Sequence, residues 1–316
     1  MHLLERSHSG LVRRVANSLY GLNRIEGSNP SLSAFFMTIT CATYNILHGY
    51  HREMILKNIR FLIDEGADVI CLQEAEVRFK GALRKFLGQK ELAGWEMRSA
   101  HAGYGGNVAI LWKSERLRLV RTSLIPLPKL HAPSKLQHLR VERLRKFDTN
   151  RVALVGLFEW DGQTFQITST HIAWEGGSRH RIRQIRHLRE MLEQEKVDIR
   201  IIAGDFNTLA PRALRHIHER RVEEALGAHY VNALPKLSWS YDISHADPRD
   251  GLGFLPTLHR AGVRFRARLD YIFGTNVSVV SSAMHDLPGS DHRPLVAVFD
   301  TAVAPIPISI MSATSR

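Results

Sequence analysis

Apolar residues along the chain alternate between strand-like runs and stretches with helical spacing. Short apolar runs that are typical of buried strands include MTITCATYNIL, DVICLQE, GNVAILW and DIRIIAG. Between them, HREMILKNIRFLIDEG, VRFKGALRKFL and residues 178–195 repeat apolar residues every three or four positions, and a further helix is expected from about Pro211. Strands that alternate with helices predict an α/β fold.

Antiparallel pairing is indicated as well. The runs RVALVGLFEW and QTFQITSTH are separated by Asp161 and Gly162, and a two-residue Asp-Gly linker is typical of a β-hairpin. RFRARLDYIF, VSVVSSAMH and PLVAVF predict further strands towards the end of the chain. Because helical crossovers favour parallel pairs and the hairpin requires an antiparallel pair, we expect mixed β-sheets with helices outside.

The two ends of the chain depart from this pattern. Residues 1–36 are basic and weakly amphipathic and run into Gly-Ser-Asn-Pro-Ser, which predicts a flexible extension. An arm that touches a membrane surface or DNA is the alternative for this segment. Residues 37–300 carry the alternating pattern and are expected to form one domain. Residues 301–316 are small, contain proline and lack periodicity, so we expect a disordered tail.

Composition narrows the class of protein and of partner. The chain has 43 Lys and Arg against 31 Asp and Glu, a formal net charge of +12. This excess favours a polyanionic partner, which can be nucleic acid, an anionic lipid surface or a phosphorylated small molecule. Cys41 and Cys71 lie in apolar runs and are expected to be buried thiols of a reducing compartment. No apolar stretch is long enough to span a membrane, so we expect a cytoplasmic protein.

Polar residues follow several of the apolar strands at the point where each strand ends. They are Asn45, Glu74, His171, Asp205 and Asn207. Strand ends of layered α/β proteins are where sites are assembled. Two further polar groups stand late in the chain. These are Asp270, inside RLDYIF, and the Ser290-Asp291-His292 cluster.

At these residues the sequence resembles a known family. The stretches TYNILHG, CLQE, GGNVAIL, STHI, AGDFN, RLDYIF and GSDHRPL, in this order, resemble the endonuclease/exonuclease/phosphatase family, the fold of pancreatic deoxyribonuclease and exonuclease III. The resemblance runs from about residue 37 to residue 300. It implies a four-layer sandwich of two mixed β-sheets flanked by helices. It also implies a hydrolase of phosphate esters that uses Mg²⁺, for which Mn²⁺ is a possible substitute.

The resemblance assigns three residues to the metal. Glu74 matches the principal metal carboxylate of the family, and Asn45 matches the neighbouring amide that touches metal or phosphate. Asp291 is expected to complete the metal shell directly or through water. Oxygen ligands of this kind suit Mg²⁺, which keeps several waters and therefore needs few protein ligands.

The resemblance assigns five residues to the reaction. Asp205 matches the carboxylate that orients or deprotonates the attacking water, and Asn207 matches an amide that positions this water or the phosphate. His292 would lie against the phosphate and be held in one tautomer by Asp270. His171 would donate to a phosphate oxygen or assist the leaving group. Whether His292 is itself the base is left open by the sequence.

Substrate-binding residues are expected among the remaining polar groups. Asn107 matches a family position near the site, and the candidates from the basic stretches are Arg179, Arg183, Arg186, Arg266 and Arg268. Residues 129–151 form a third basic stretch. Solvated faces are the alternative for all three stretches. His48, His51 and His180 lie near the motifs and are expected to be ordinary surface histidines.

Three functions are compatible with these residues. The first is a nuclease that hydrolyses phosphodiester bonds of DNA or RNA, with arginines on backbone phosphates. The second is a phosphodiesterase or phosphatase of a lipid or small phosphate ester, in which residues 1–36 meet the membrane. The third is a nucleic-acid-binding protein without catalysis, which the intact motif set disfavours. We expect a monomer without a transmembrane segment in each case.

Overall fold

Fourteen strands and five α-helices are present in the computed structural model, which describes residues 37–102, 106–130, 150–209, 215–249 and 255–302. The strands are β1 (Thr38–Asn45), β2 (Val69–Gln73), β3 (Trp95–Ala100), β4 (Val108–Lys113), β5 (Arg118–Pro126), β6 (Val152–Trp160), β7 (Gln163–His171), β8 (Ile199–Asp205), β9 (Val231–Asn232), β10 (Tyr241–Asp242), β11 (Arg266–Ala267), β12 (Asp270–Thr275), β13 (Ser278–Met284) and β14 (Leu295–Asp300). The helices are α1 (Arg52–Asp64), α2 (Val77–Leu87), α3 (Gly177–Glu193), α4 (Arg215–Leu226) and α5 (Leu255–Arg260).

The strands form two six-stranded sheets and one small ladder. The first sheet has the order β13-β14-β1-β2-β4-β3, and the second has the order β5-β6-β7-β8-β12-β9. Strands β10 and β11 pair separately. Within the first sheet β1 and β2 run parallel, and within the second β7 and β8 run parallel, while their other neighbours are antiparallel. The prediction of mixed sheets is therefore confirmed.

Each parallel pair is joined through a helix, which explains where the helices lie. A crossover between parallel strands needs a connection of a dozen or more residues, and α1 links β1 to β2 as α3 links β7 to β8. The apolar residues of α1 and α2 face the first sheet, and those of α3 and α4 face the second. A third core fills the space between the two sheets and includes Trp112, Phe158, Phe165, Ile201 and Phe299. The result is the expected four-layer sandwich, helices–sheet–sheet–helices.

Strand register brings the polar strand ends to one edge of the sandwich. In the second sheet His171 is opposite Asp205, and Asp205 is opposite Asp270. In the first sheet Asn45 is opposite Gln73, and Glu74 follows directly. Because the carboxyl ends of parallel strands meet at the same edge, these side chains converge there.

Gly204 allows β7 and β8 to approach closely just before Asp205. A Cβ atom built on Gly204 would lie 2.0 Å from the carbonyl oxygen of Thr170, the residue paired with it across the two strands. Real Cβ atoms do not come this close to a backbone oxygen. The glycine of the AGDFN stretch is therefore required by the geometry that sets Asp205 beside His171.

Several elements differ from the sequence expectations. RFRARLDYIF is interrupted between β11 and β12, because Arg268 and Leu269 leave the ladder. Strands β3 and β5 were not predicted, since neither forms an apolar run: polar residues alternate with apolar ones in β3, and most residues of β5 are exposed. Thr301, expected in the tail, is buried, and its hydroxyl group donates to the carbonyl oxygen of Met37 at 2.7 Å.

The expectation for the cysteines is confirmed, whereas those for three segments of the chain concern residues that the structure does not describe. Cys41 and Cys71 are buried free thiols, as predicted. The extension 1–36, residues 303–316 of the expected tail and most of the basic stretch 129–151 lie outside the described residues. No helix in the described ranges combines the length and apolar character needed to cross a membrane.

Replacement of Gly204 by alanine tests the close approach of β7 and β8. We expect Gly204→Ala to lower the free energy of unfolding by ~1–3 kcal/mol, because a methyl group must displace backbone. The control is Gly81→Ala on α2, where a Cβ atom would meet nothing within 4 Å. This control should raise stability by roughly 0.5–1 kcal/mol through helix propensity. Equal stabilities of the two variants in urea unfolding would contradict the packing argument.

Candidate active site

Asp205 lies at the centre of the polar edge and is almost completely buried. Its Oδ2 atom accepts a hydrogen bond from the side-chain amide of Asn45 at 3.1 Å. Two imidazoles face the same oxygen, with Nε2 of His171 at 3.5 Å and Nε2 of His292 at 3.7 Å. One carboxylate oxygen of Asp205 therefore has three polar neighbours, which are an amide of the first sheet and two imidazoles.

The other oxygen of Asp205 is held by the turn that follows β8. The backbone N–H of Asn207 donates to Asp205 Oδ1 at 2.8 Å, and the amide of Asn207 donates to the carbonyl oxygen of Ile172 at 2.8 Å. Asn207 has a φ of +50°, a conformation that asparagine adopts more readily than most residues. Asn207 thus fixes the orientation of Asp205 and ties the ends of β7 and β8 together.

His292 is oriented by a buried carboxylate. Its Nδ1 atom lies 2.8 Å from Oδ2 of Asp270, so this nitrogen donates and Nε2 faces Asp205. The hydroxyl group of Ser240 donates to the same Asp270 oxygen at 2.7 Å. The ring of Tyr241 packs edge-on against His292, with centroids 5.2 Å apart. These contacts hold the imidazole in one orientation.

Glu74 lies beside this group on the first sheet. Its Oε1 atom accepts from the amide of Asn45 at 3.2 Å, so Asn45 bridges the carboxylates of Glu74 and Asp205. The Oε2 atom of Glu74 lies 3.1 Å from Nε2 of His48, whose Nδ1 is 3.2 Å from Glu76. Glu74 has a φ of +56°, which is strained for a residue with a long side chain. Such strain at a polar strand end is typical of functional positions.

Asp291 and Asn107 flank the site. Asp291 is buried, and its carboxylate lies 3.5 Å from the hydroxyl group of Ser290, which donates to the carbonyl oxygen of Asn45. Asn107 is also buried. Its backbone carbonyl oxygen accepts a hydrogen bond from the backbone N–H of Ala75, the residue after Glu74. The side-chain oxygen of Asn107 is bonded to His101 and to the N–H of Ala102, whereas its side-chain nitrogen has no acceptor among the described residues.

Two sets of residues at this edge have ligand atoms for a cation. The Oε2 atom of Glu74 is buried, and its neighbour is Nε2 of His48 at 3.1 Å, to which it makes no well-aligned hydrogen bond. A carboxylate oxygen of this kind suits a hard ion. The ligand atoms of Asp205, Asp270 and His292 also lie within 4.8 Å of one another. In that second set Asp270 Oδ2 is already bonded to His292 and Ser240. Glu74 is therefore the better candidate for the principal ligand. Asn45 and Asp291 are the other two ligands that the sequence analysis expects.

Burial and mutual charge set the protonation of the central pair. Burial raises the pKa of Asp205 to about 7, with a smaller increase from the charge of Asp270, while His292 opposes the shift. Burial disfavours a charged His292, but the carboxylates of Asp270 and Asp205 outweigh this and raise its pKa well above the usual value. The site therefore holds a charged imidazole beside a carboxylate that titrates near neutral pH.

The predicted substrate arginines differ in exposure and in their partners. Arg268 was expected on a phosphate track, and this is wrong, because its guanidinium is 1% exposed. It donates to Asn232 at 3.0 Å and stacks over Tyr271 at 4.3 Å. Arg266 is exposed and donates to Asp242 at 2.6 Å. Arg179, Arg183 and Arg186 are exposed on one side of α3, as the sequence pattern predicts.

Sequence reasoning missed two residues of the site. His48 was expected at the surface, but it is 1% exposed and lies between Glu74 and Glu76. Its position inside the TYNILHG stretch was the available signal. Ser240, which supports Asp270, lies 30 residues away in sequence and is outside every motif, so no local pattern indicates it. His180 is buried as well, whereas His51 is exposed as expected.

The raised pKa of Asp205 predicts how stability depends on pH in metal-free protein. Between about pH 4 and pH 7 the folded state keeps a proton on Asp205 that the unfolded chain has lost. The free energy of unfolding should therefore fall as pH rises through this window, by at most ~1.4 kcal/mol per unit. We expect Asp205→Asn to remove this part of the slope in urea unfolding with EDTA present. Asp64→Asn, at an exposed carboxylate, is the control, and equal slopes in all three proteins would contradict the assignment.

Comparison with known sequences supports the interpretation of this edge. The sequence profile of the Endonuclease/Exonuclease/phosphatase family matches residues 42–292, which contain all eight predicted catalytic and metal residues. No curated protein sequence gives a significant match.

Solved structures of low sequence identity share the fold. TDP2 from D. rerio, complexed with a single-strand DNA product, has a TM-score of 0.60 and 17% identity, over 84% of this chain and 100% of that chain. An endonuclease/exonuclease/phosphatase from Bacteroides vulgatus has a TM-score of 0.59 and 15% identity, over 83% and 98%. The human Nocturnin catalytic domain with bound sulfate has a TM-score of 0.55 and 20% identity, over 83% and 94%. With the profile match over most of its length, the chain belongs to the endonuclease/exonuclease/phosphatase family.

Proposed function

We propose that this protein is a divalent-metal-dependent hydrolase of phosphodiester bonds, and that its substrate is a nucleic acid. The observation that carries the proposal is the convergence on Asp205 Oδ2 of Asn45, His171 and His292. A phosphodiester requires an oriented water opposite its leaving oxygen and donors around the phosphate oxygens. These groups supply both within one small site.

Asp205 is the residue proposed to orient and deprotonate the attacking water. A general base works best when its pKa is close to the operating pH, and burial raises the pKa of Asp205 to about 7. The water proton would pass to Asp205 Oδ2 as the water oxygen bonds to phosphorus. The bond from phosphorus to the leaving oxygen would break in the same step, and this oxygen would take a proton from His171 or from solvent water. Asn45 and Asn207 hold this carboxylate from two sides, so it keeps its direction.

The histidines are proposed to face the phosphate. His292 carries a positive charge that Asp270 stabilises, so its Nε2–H can donate to an oxygen that becomes more negative in the transition state. His171 lies 3.5 Å from the same Asp205 Oδ2 and would donate to a second oxygen or to the leaving group. The side-chain nitrogen of Asn107 is a further donor near Glu74.

Glu74, Asn45 and Asp291 are proposed to hold Mg²⁺, or Mn²⁺ as a substitute. A bound divalent cation supplies charge neutralisation at the phosphate and lowers the pKa of bound water. In the present arrangement Asn45 turns its amide nitrogen towards both carboxylates and its oxygen accepts from Leu47. An amide oxygen has two lone pairs, so the bond from Leu47 leaves one for a cation.

The substrate proposal rests on charge and on likeness. The net charge of +12 favours a polyanion, and TDP2 from D. rerio, which shares the fold, was solved with a single-strand DNA product. Hydrolysis of single-stranded and plasmid DNA, RNA, phospholipid vesicles and a bis-aryl phosphate by the purified protein tests the proposal. Turnover of phospholipid alone would contradict the substrate assignment. Cytoplasmic location and a monomeric state stay predictions.

Metal dependence is the first expected property. EDTA should abolish hydrolysis, and excess Mg²⁺ should restore it. Glu74→Gln removes the anionic ligand, so kcat/KM should fall at least ~100-fold and the Mg²⁺ concentration at half activity should rise. Glu115→Gln, at an exposed carboxylate paired with Lys113, is the matched control and should leave both quantities unchanged. Full activity of a metal-free preparation would refute the mechanism.

A double-mutant cycle tests the pair Asp270 and His292. Asp270→Asn should lower kcat by at least ~100-fold with little change in KM, because the carboxylate acts through the imidazole as charge develops. His292→Ala should cost about as much, and the double variant little more, since residues that act as one unit are not additive. Independent losses that multiply would show that the two residues act separately. Asp300→Asn is the control. Asp300 is a strand carboxylate at the last position of β14, the end of this strand that is farther from His292.

A further inference from the structure

A groove between α3 and α4 is lined by several arginines. Its volume is about 940 Å³, and Pro126, Leu127 and Pro128 form one wall. The charged groups that line it are Arg179, Arg183, Arg186, Arg221, His187, Glu190 and Glu224. We call this feature the α3–α4 groove.

The four arginines of the groove have no acidic partner among the described residues. The two glutamates at the groove are paired elsewhere, Glu190 with Arg189 at 4.0 Å and Glu224 with Arg220 at 3.2 Å. Arg179, Arg183 and Arg186 follow one another at spacings of four and three, at which like charges on a helix repel. An anionic ligand would reduce this repulsion, because none of these three arginines is paired with a carboxylate among the described residues.

The groove begins at the edge of the sandwich that holds the active site. Pro126 ends β5, and β5 lies three strand positions from β8 in the second sheet, or ~14 Å at the usual spacing. Helix α3 starts six residues after His171 and returns from this edge. The rise of a helix places Arg179 and Arg186 ~10 Å apart along that path.

We propose that the α3–α4 groove binds the sugar–phosphate backbone of a nucleic-acid strand whose scissile phosphate lies at Asp205. This inference rests on the proposed function and names the surface that would hold the distal part of the substrate. An array ~10 Å long exceeds what one phosphate fills, so the ligand carries several phosphates. The described lining has no Phe, Tyr or Trp, so recognition is of the backbone and is independent of base sequence.

The concave form of the groove favours a strand over a lipid surface. The arginines lie between two helices and against the Pro126–Pro128 wall, and a bilayer cannot enter such a depression.

Binding is tested on the full chain with Asp205→Asn and EDTA, so that hydrolysis does not interfere. Fluorescence anisotropy of a labelled 20-nucleotide single strand measures affinity across a salt series. Replacement of Arg179, Arg183, Arg186 and Arg221 by Gln should weaken binding at least ~10-fold and flatten the log-salt slope by up to ~0.7 per lost contact. Affinity for a trinucleotide should change far less.

A second quadruple variant controls for net charge. Arg60, Lys113, Arg118 and Arg121 are each paired with a carboxylate that does not line the groove, so their replacement by Gln removes the same charge from other surfaces. Thermal unfolding verifies that both variants fold. Equal losses in the two variants would assign the effect to overall charge and overturn the proposal.

Four other outcomes decide between the alternatives. Unchanged binding by the groove variant would overturn the proposal. Lost binding to phosphatidylserine vesicles with unchanged binding to the 20-nucleotide strand would assign the groove to lipid and overturn it as well. Displacement of the strand by tripolyphosphate as effectively as by unlabelled 20-mer would identify a small polyphosphate site instead. If strand binding depends on the groove but the wild-type protein cleaves no nucleic acid, the groove stands and the proposed function fails.

Discussion

Burial of the Asp205 carboxylate at the junction of two sheets is the constraint on which the site depends. A carboxylate taken out of water is unfavourable unless donors surround it. Asn45, Asn207, His171 and His292 surround Asp205, and they come from four separate parts of the chain. The two sheets must therefore pack in one register for the carboxylate to be satisfied. The same contacts that make burial tolerable also bring the reactive groups together.

The backbone geometry around Asp205 also brings the reactive groups together. Gly204 lets β8 approach Thr170 closely, which sets Asp205 opposite His171. Positive φ values at Glu74 and Asn207 turn the chain just after β2 and β8, so that side chains leave the sheet edge in a fixed direction. Local strain at these positions is tolerated because long apolar strands on either side hold the ends in place.

The arginines on the second sheet and its helices divide into two groups. Arginines buried under the second sheet, such as Arg268, stack on aromatic rings and pair with acids, so their charge is used inside the fold. Arginines of the α3–α4 groove are exposed, and none of them is paired with a carboxylate in the described part of the chain. The same residue type therefore has two roles, and only burial and pairing separate them. A high net charge alone does not tell which arginines meet a polyanion.

The sequence by itself determined the α/β class, the helices α1, α2 and α3, and the strands that end in polar residues, because apolar periodicity reports local burial. Order and content of seven short stretches indicated the family, which the sequence profile confirms. Only the tertiary structure decided the partners of these residues. Ser240 supports Asp270 across 30 residues, His48 lies buried against Glu74, and Arg268 turns inwards although it alternates with exposed Arg266. Such contacts join segments that are distant in the chain, and no local pattern of residues encodes which segments meet.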